Sequence, residues 1–167
     1  MPERTSLDDV LAETVQFASR SLGEGVRIEV RPFSSDLAVT ADHEQLLQAL
    51  TALVVNAAEA MPHGGCVELA CEPAHPSRVT ISVSDTGRGL PSELQAHLFE
   101  PFVTNRSDRW GAGLGLALAH GIVTQHGGTI EVASREEGGT VVRVALPRAL
   151  GDASGVRRWA ELAASQS

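Results

Sequence analysis

The stretch Asp85-Thr86-Gly87-Arg88-Gly89-Leu90 closes a run of alternating apolar residues, Val79, Ile81 and Val83. In a β-strand these three side chains and that of Asp85 point to the same face. A carboxylate on a buried apolar face is costly without a partner. Asp also often ends a strand and begins a turn, but its phase with the apolar residues and the glycines that follow favour a ligand. We therefore expect Asp85 to accept a hydrogen bond from a bound group, such as an exocyclic amine.

A second glycine-punctuated stretch, Gly111-Ala112-Gly113-Leu114-Gly115-Leu116, opens a segment with helical apolar spacing. Its glycines allow the backbone to approach a ligand closely. The start of a helix offers free N–H groups and the positive end of the dipole, which suit phosphate. Glycines also cap helices and fill turns, so this pattern alone is a weak signal. It is not a P-loop, because no Gly-Lys-Ser/Thr follows, and it lacks the preceding strand of a dinucleotide fold.

A third element is a predicted helix over 42–61, with an apolar stripe that contains Leu46, Leu50 and Leu53. Asn56 interrupts this apolar stretch. Asn is a poor residue for a helix interior, because its side chain competes with the backbone for hydrogen bonds. A solvent-facing Asn would be unremarkable. Together with the two glycine stretches, the pattern favours an amide that faces a metal or a phosphate.

These elements resemble the catalytic ATP-binding domain of a bacterial sensor histidine kinase, of the nitrogen-regulatory type, within the ATPase superfamily of gyrase and MutL. The resemblance covers residues 6 to 147. The matching segments are Leu53–Met61 (asparagine box), Asp85–Leu90 (first glycine box), Leu98–Thr104 (phenylalanine box), Gly111–Leu116 (second glycine box), and His126–Ile130 and Gly138–Val142 (closing strands). Four boxes in this order and spacing make a specific match.

The resemblance implies a two-layer α/β sandwich of the Bergerat type, with a mixed sheet backed by helices and an ATP lid. It implies that ATP and Mg²⁺ are bound, with Asp85 accepting the adenine amine and Asn56 holding the metal. The full set of implied ATP-binding residues is Asn56, Asp85, Gly87, Gly89, Thr104, Arg106, Gly111, Gly113, Leu114, Gly115, Leu116 and Thr140. Gly87 and Gly89 are expected to let the backbone pass close to the base, and the second glycine box to close over the phosphates.

The segment 105–110 is the expected mobile part of the lid, since it is polar and flanked by glycine. Arg106 or Arg109 is expected to meet the γ-phosphate. Phe99 and Phe102 are either hinge anchors, a docking face or simply core residues.

Two features depart from the family pattern. The residue four before Asn56 is Ala52, where gyrase-like members carry a Glu that activates water and histidine kinases commonly a second Asn. Strong intrinsic ATP hydrolysis is therefore not expected. In addition, we recognise no phosphoacceptor segment: His43-Glu44 resembles one superficially but lies in the helix of Asn56. We expect either an excised domain or a kinase that phosphorylates a histidine on another polypeptide.

Three classes of function follow from the resemblance. The leading one transfers the γ-phosphate of ATP to a histidine of a separate dimerisation and phosphoacceptor domain, in the same full-length protein or in trans, and so acts indirectly on a response regulator. The second is a non-catalytic ATP-binding module, a pseudokinase. The third is a gyrase-type ATPase, which Ala52 disfavours.

The composition of the chain excludes some classes of binding partner. The 167 residues carry a net charge of −8, which argues against a general nucleic-acid surface. No apolar run approaches the ~20 residues of a membrane span and no signal peptide is evident; we expect a cytoplasmic domain whose full-length protein is free to carry an anchor. Cys66 and Cys71 face opposite sides of one predicted strand, so we expect reduced thiols.

The sequence predicts helices at 7–22, 42–61 and from Gly113, and strands at 26–30, 37–40, 66–71, 78–84, 129–134 and 140–146. Alternating helices and strands indicate one α/β domain, which we place at residues 1–147. The remaining 148–167 are expected to be a disordered tail or a short helix.

Overall fold

The computed structural model describes residues 2–75, 77–87 and 114–149. The helices and strands, in chain order, are β1 (Glu3–Ser6), α1 (Leu7–Ala18), β2 (Val26–Val30), β3 (Ala38–Ala41), α2 (His43–Glu59), β4 (Gly65–His75), β5 (Arg78–Asp85), α3 (Leu114–Gln125), β6 (Thr129–Ser134) and β7 (Thr140–Pro147). They form the two-layer α/β sandwich that the sequence predicts.

One layer is a mixed five-stranded sheet in the order β2-β4-β5-β7-β6. The pair β2–β4 is parallel and the other three pairs are antiparallel. Strand β5 is therefore central, with β4 and β7 on its two sides. Its final residue, Asp85, pairs with Val67 of β4, so the carboxylate lies in the middle of one sheet edge.

The helices cover one face of this sheet. Helix α2 packs on β4 and β5, α3 packs on α2 and β6, and α1 packs on α2. The in-phase residues of β5, Val79, Ile81 and Val83, are almost fully buried. They share one apolar core with Leu50 and Leu53 of α2, which fixes α2 over the centre of the sheet.

The predicted starts of α1 and α2 agree with the structure to within one residue. The Ser6 hydroxyl accepts a hydrogen bond from the Asp9 N–H at 3.4 Å, and Asp42 Oδ1 accepts from the Gln45 N–H at 3.0 Å. Each side chain satisfies an N–H group that has no partner inside its helix. Asp42 thereby fixes where α2 begins and hence where Asn56 lies along it.

Some predicted boundaries were wrong. Helix α1 ends at Ala18 rather than Leu22. The chain beyond it turns more tightly, because the Arg20 N–H donates to the Phe17 carbonyl at 3.4 Å and the Ser21 N–H to the Ala18 carbonyl at 2.9 Å. Strand β4 continues past the predicted end to His75, with a register irregularity between Pro73 and His75. Proline is tolerated there because β2 pairs with β4 only as far as Leu69. Strand β1, which pairs with β3, was not predicted.

The chain around 148–149 is tied to the domain. The Arg148 N–H donates to the Ser77 carbonyl at 2.8 Å, and the Ala149 N–H to the Ala38 carbonyl at 3.0 Å. The rest of the predicted tail, 150–167, lies outside the described residues. Within the described ranges, no helix is both long and apolar enough to cross a membrane.

Both cysteines are free thiols, as predicted, and both lie on β4. Burial raises the pKa of the Cys71 thiol to about 12. A thiol that stays protonated is a poor nucleophile and metal ligand, so Cys71 acts as a core residue.

Candidate functional site

Asp85 is buried at the end of β5, with 4% of its surface exposed. Its Oδ1 accepts hydrogen bonds from two backbone groups, the Gly87 N–H at 2.9 Å and the Thr140 N–H at 3.3 Å. Burial raises the pKa of this carboxyl, and these two hydrogen bonds together with the charge of Arg135 oppose the rise. Both described hydrogen bonds use Oδ1, so the carboxylate is oriented by the fold and Oδ2 is left for another donor.

The turn between β6 and β7 holds the backbone of Asp85 from the other side. Arg135 Nη1 donates to the Asp85 carbonyl at 3.1 Å. Gly139 has φ +102, and a side chain there would overlap that same carbonyl oxygen. Only glycine permits this close approach. Arg135 and Gly139 therefore fix the position of the Asp85 backbone, and with it the point from which the Asp85 side chain projects.

Replacing Gly139 with Ala should destabilise the domain strongly. The new methyl would lie 2.8 Å from the Asp85 carbonyl carbon, in addition to the cost of the left-handed backbone, which is about 1–2 kcal/mol. Gly138→Ala is the matched control, since Gly138 has φ +97 but a methyl added there would meet nothing within 4 Å. Urea denaturation should show a loss for Gly139→Ala at least about 1 kcal/mol larger than for Gly138→Ala. Equal losses would show that the contact with Asp85 is unimportant.

Thr140 brings a second polar group to Asp85. Its side chain is 5% exposed, and its hydroxyl finds no hydrogen-bond partner in the part of the chain that the structure describes. A buried hydroxyl without a partner costs about 1–3 kcal/mol. The Thr140 hydroxyl can both donate and accept a hydrogen bond, and it lies next to the Asp85 carboxylate. This arrangement fits a site in which a ligand supplies the missing hydrogen bond.

Asp85 and Thr140 open into a narrow slot with apolar walls. The walls come from α2, from β5 to β7 and from α3, and they include Leu53, Ala57, Val83 and Leu116. The enclosed space is about 10 Å³, room for one water. An apolar slot lined also by a carboxylate and a hydroxyl suits an aromatic base with an exocyclic amine, provided that the slot widens to admit the base.

Asn56 links this slot to a much larger groove. Its half-buried side chain lines the slot and also a cavity of about 560 Å³ over the outer face of α2. Within the described ranges its amide makes no hydrogen bond to another residue, so its oxygen is available to a ligand. Glu59 and Ala52 line the same groove, as does Gly115 at the start of α3.

Helices α2 and α3 run antiparallel and are joined at both ends. A methyl on Gly115 would lie 3.4 Å from the Ala52 carbonyl oxygen and 3.7 Å from Asn56 Cβ, so the start of α3 lies against Asn56. At the far end the Asp42 N–H donates to His126 Nε2 at 3.1 Å. The opposite nitrogen, Nδ1, then carries the proton and donates to the Ile122 carbonyl at 2.7 Å. The two hydrogen bonds of His126 therefore fix how far α3 is shifted along α2.

The structure brings together Asn56, Asp85, Gly87, Leu116 and Thr140, and Gly115 adjoins Asn56. Leu114 begins α3. A methyl at Gly87 would lie 2.6 Å from the Ala60 carbonyl oxygen, so glycine is needed there for the passage over the end of α2. The other candidates, Gly89, Thr104, Arg106, Gly111 and Gly113, lie outside the described residues, as do the predicted lid at 105–110, Arg109, Phe99 and Phe102.

Residues 41–150 match the family model of the histidine kinase-, DNA gyrase B- and HSP90-like ATPases. The match spans α2, both glycine boxes and the Asp85–Thr140 pair. The chain belongs to this ATPase family.

Sensor kinases are among its relatives within the family. The chain is 34% identical over 161 residues to the sensor kinase CckA of Brucella abortus. This alignment covers 88% of this chain and 17% of CckA. The structure superposes on full-length ShkA in complex with AMPPNP with a TM-score of 0.75 at 28% identity, over 90% of this chain and 32% of ShkA. It also matches the histidine kinase ThkA in complex with the response regulator TrrA, with a TM-score of 0.74 at 27% identity, over 89% and 42% of the two chains.

Sequence reasoning missed three positioning residues of this ATPase domain. Arg135 and Gly139 hold Asp85 from the β6–β7 turn, and His126 joins α3 to α2. The paired glycines at 138–139 were a visible signal of a turn, and both have a positive φ, but nothing in the local sequence showed that Gly139 contacts Asp85. The contacts of Arg135 and His126 span 50 and 84 residues of sequence, and no local pattern predicts them.

Proposed function

We propose that this chain binds Mg-ATP and transfers the γ-phosphate to a histidine on a separate dimerisation and phosphoacceptor domain. The chain spans 17% of the length of CckA, so that domain belongs either to the same full-length protein or to a partner in trans. A response regulator would receive the phosphate next, in line with the ThkA–TrrA complex among the structural relatives. ATP binding is further supported by the AMPPNP that ShkA carries.

The observation that carries this proposal is the buried carboxylate of Asp85. Two backbone N–H groups hold its Oδ1, which leaves Oδ2 to accept the exocyclic amine of adenine. Thr140 beside it has an unpaired hydroxyl among the described residues, and this hydroxyl can bond a ring nitrogen directly or through a water. The apolar walls of the slot, such as Leu53 and Leu116, would contact the two faces of the base.

Asn56 is the residue we assign to the metal. Mg²⁺ prefers oxygen ligands and keeps several waters while bound by phosphates and one or two protein groups. The amide of Asn56 fits that role, because it stands where the slot for the base meets the larger groove. When bound, Mg²⁺ neutralises charge on the phosphates. This chain's own contribution is to hold the base at Asp85 and to align the phosphates at Asn56.

His43 is poorly placed to accept the phosphate within this chain. It begins α2, whereas Asn56 lies 13 residues further along the helix, a distance of about 20 Å at 1.5 Å per residue. Its Nε2 also contacts Glu13 of α1 at 3.2 Å. The acceptor histidine is therefore proposed to come from outside this chain.

Ala52 favours one alternative, a non-catalytic ATP-binding module. Its methyl group can neither activate a water nor bind a metal, and its carbonyl is close to the start of α3 at Gly115. The same observation disfavours a gyrase-type ATPase, which needs a base at this place.

Incubation with γ-labelled ATP, with and without the dimerisation and phosphoacceptor domain, tests the proposal. We expect acid-labile, alkali-stable phosphate on that domain and none on this chain alone. ATP binding without transfer to any acceptor would favour the non-catalytic module. Stable histidine phosphorylation of this chain by itself would refute an external acceptor, and His43 would be the first residue to replace.

Replacing Thr140 with Val should separate stability from binding. Valine keeps the shape but removes a buried hydroxyl that has no partner among the described residues, so the free energy of unfolding should stay constant or rise by about 1 kcal/mol. The affinity for ATP should fall about 5- to 10-fold as one hydrogen bond is lost. Urea denaturation and calorimetry measure the two quantities. A loss of stability with unchanged affinity would show that Thr140 is structural.

A further inference from the structure

Glu59 lies beside the site that we assign to the metal. It is the third residue after Asn56 on α2, and both side chains line the same groove. Residues spaced by three on a helix have Cβ atoms about 5–6 Å apart. The Glu59 carboxylate is thus within reach of an ion held by Asn56. The next acidic residue on α2 is Glu44, at the opposite end of the helix.

The charge of Glu59 is not compensated locally. The last turn of α2 carries no basic residue, and it presents the negative end of the helix dipole. No ion pair to Glu59 is formed within residues 2–75, 77–87 and 114–149, and Glu24 lines a neighbouring cavity together with Glu59. Although this side chain is exposed, partial desolvation raises the pKa of its carboxyl. Among the residues that the structure describes, the end of the groove next to Asn56 is therefore negative.

A negative groove would repel the triphosphate that the proposed function brings to it. Like charges at such short range repel one another, even at the effective dielectric of a protein surface. A divalent cation between the carboxylate and the phosphates turns this repulsion into attraction. Mg²⁺ sites at nucleotides commonly use one or two carboxylates together with phosphates and waters.

We propose that Glu59 acts with Asn56 on the divalent cation and makes nucleotide binding depend on that cation. The inference rests on the proposed function, since it needs ATP phosphates in the groove. The proposed carboxylate ligand is that of Glu59, one helical turn after Asn56. Ala52, one turn before Asn56, has no side-chain group that could bind a metal.

Two variants with the same change of charge test this assignment. Glu59→Gln removes the carboxylate beside Asn56. Glu44→Gln is the control, because Glu44 lines the same groove on the same helix but lies 15 residues from Glu59, about 22 Å along the axis. Calorimetry would measure the dissociation constant of ATP in Mg²⁺ and in EDTA for the wild type and for both variants.

For Glu59→Gln we expect about 10-fold weaker binding of Mg-ATP and tighter binding of metal-free ATP, so the preference for the metal complex collapses. Glu44→Gln should keep both constants within about twofold of the wild type, because its charge is far from the ion. Glu59→Asp, which retains a carboxylate, should keep most of the metal dependence.

Three results would overturn the assignment. Equal tightening of Mg-ATP and metal-free ATP in Glu59→Gln would mean that Glu59 only repels phosphate. Behaviour identical to Glu44→Gln would mean that Glu59 is a solvated helix end, while the proposed function would stand because the wild type still binds Mg-ATP. A wild-type chain that binds no Mg-ATP would remove both the proposed function and this inference.

Discussion

Asp85→Asn is expected to weaken ATP binding by about 1.5–3 kcal/mol, roughly 10- to 150-fold, while the fold survives. Asn has the same shape, and its amide oxygen can still accept from the Gly87 and Thr140 N–H groups that now bond Oδ1. Its NH₂ group then replaces Oδ2 and meets the adenine amine donor to donor. Calorimetry with Mg-ATP measures the loss. Because an amide can donate to the guanine carbonyl, the variant should also discriminate less against GTP.

The same variant should be at least as stable as the wild type at neutral pH. Burial raises the pKa of Asp85 above its unfolded value, so the native state binds this proton more tightly than the unfolded chain. The stability that Asp85 contributes is full below the unfolded pKa and is lost as the pH rises through the folded pKa. Asp85→Asn removes this loss. Urea denaturation of both proteins at about pH 4 and about pH 7 should show the variant gaining relative to the wild type as the pH rises. A variant that loses stability relative to the wild type between about pH 4 and about pH 7 would contradict the raised pKa of Asp85.

Asn56→Ala is expected to abolish phosphoryl transfer and to weaken the Mg²⁺ dependence of ATP binding, leaving only the part that the Glu59 carboxylate supplies. Loss of one group that stabilises charge in a transition state typically costs about 10²–10³ in rate. Alanine is the better helix former, so α2 should persist. Adenosine, which needs no metal, should bind as it does to the wild type, and this measurement is the internal control.

An unchanged Mg²⁺ requirement in Asn56→Ala would mean that another group holds the ion. Glu59 would then be the first candidate, and the double variant Asn56→Ala, Glu59→Gln would decide between them. Loss of adenosine binding would instead indicate that the slot beside Asn56 had collapsed.

The strand–glycine pattern and the apolar stripe of α2 were readable from the sequence because they are local. Alternation in β5 predicted that Asp85 shares the buried face of Val79, Ile81 and Val83, and it does. The starts of α1 and α2 were predicted to within one residue, and the caps that fix them, Ser6 and Asp42, act through short-range hydrogen bonds. Strand β1 gave no signal: it is four residues long, and its pairing with β3 is a long-range contact.

The arrangement around Asp85 could be predicted only in part. Its burial followed from periodicity, but the groups that orient it come from distant segments, with Thr140 donating across 55 residues and Arg135 across 50. Gly87 was expected to let the backbone approach a ligand. Its contact with Ala60 requires glycine at this position even when no ligand is bound. Sequence patterns thus predicted which residues meet at the site, and tertiary contacts determine how each is held.

Titration of the wild-type chain with Mg-ATP and with Mg-GTP in one calorimeter tests the central claim most directly. Guanine presents a carbonyl where adenine presents its amine, so a carboxylate held as Asp85 is would face a second acceptor. We expect ATP to bind and GTP to bind at least about 10-fold more weakly. Equal affinity for the two nucleotides, or no binding of either, would contradict the assignment of Asp85 to an adenine amine and the nucleotide site built around it.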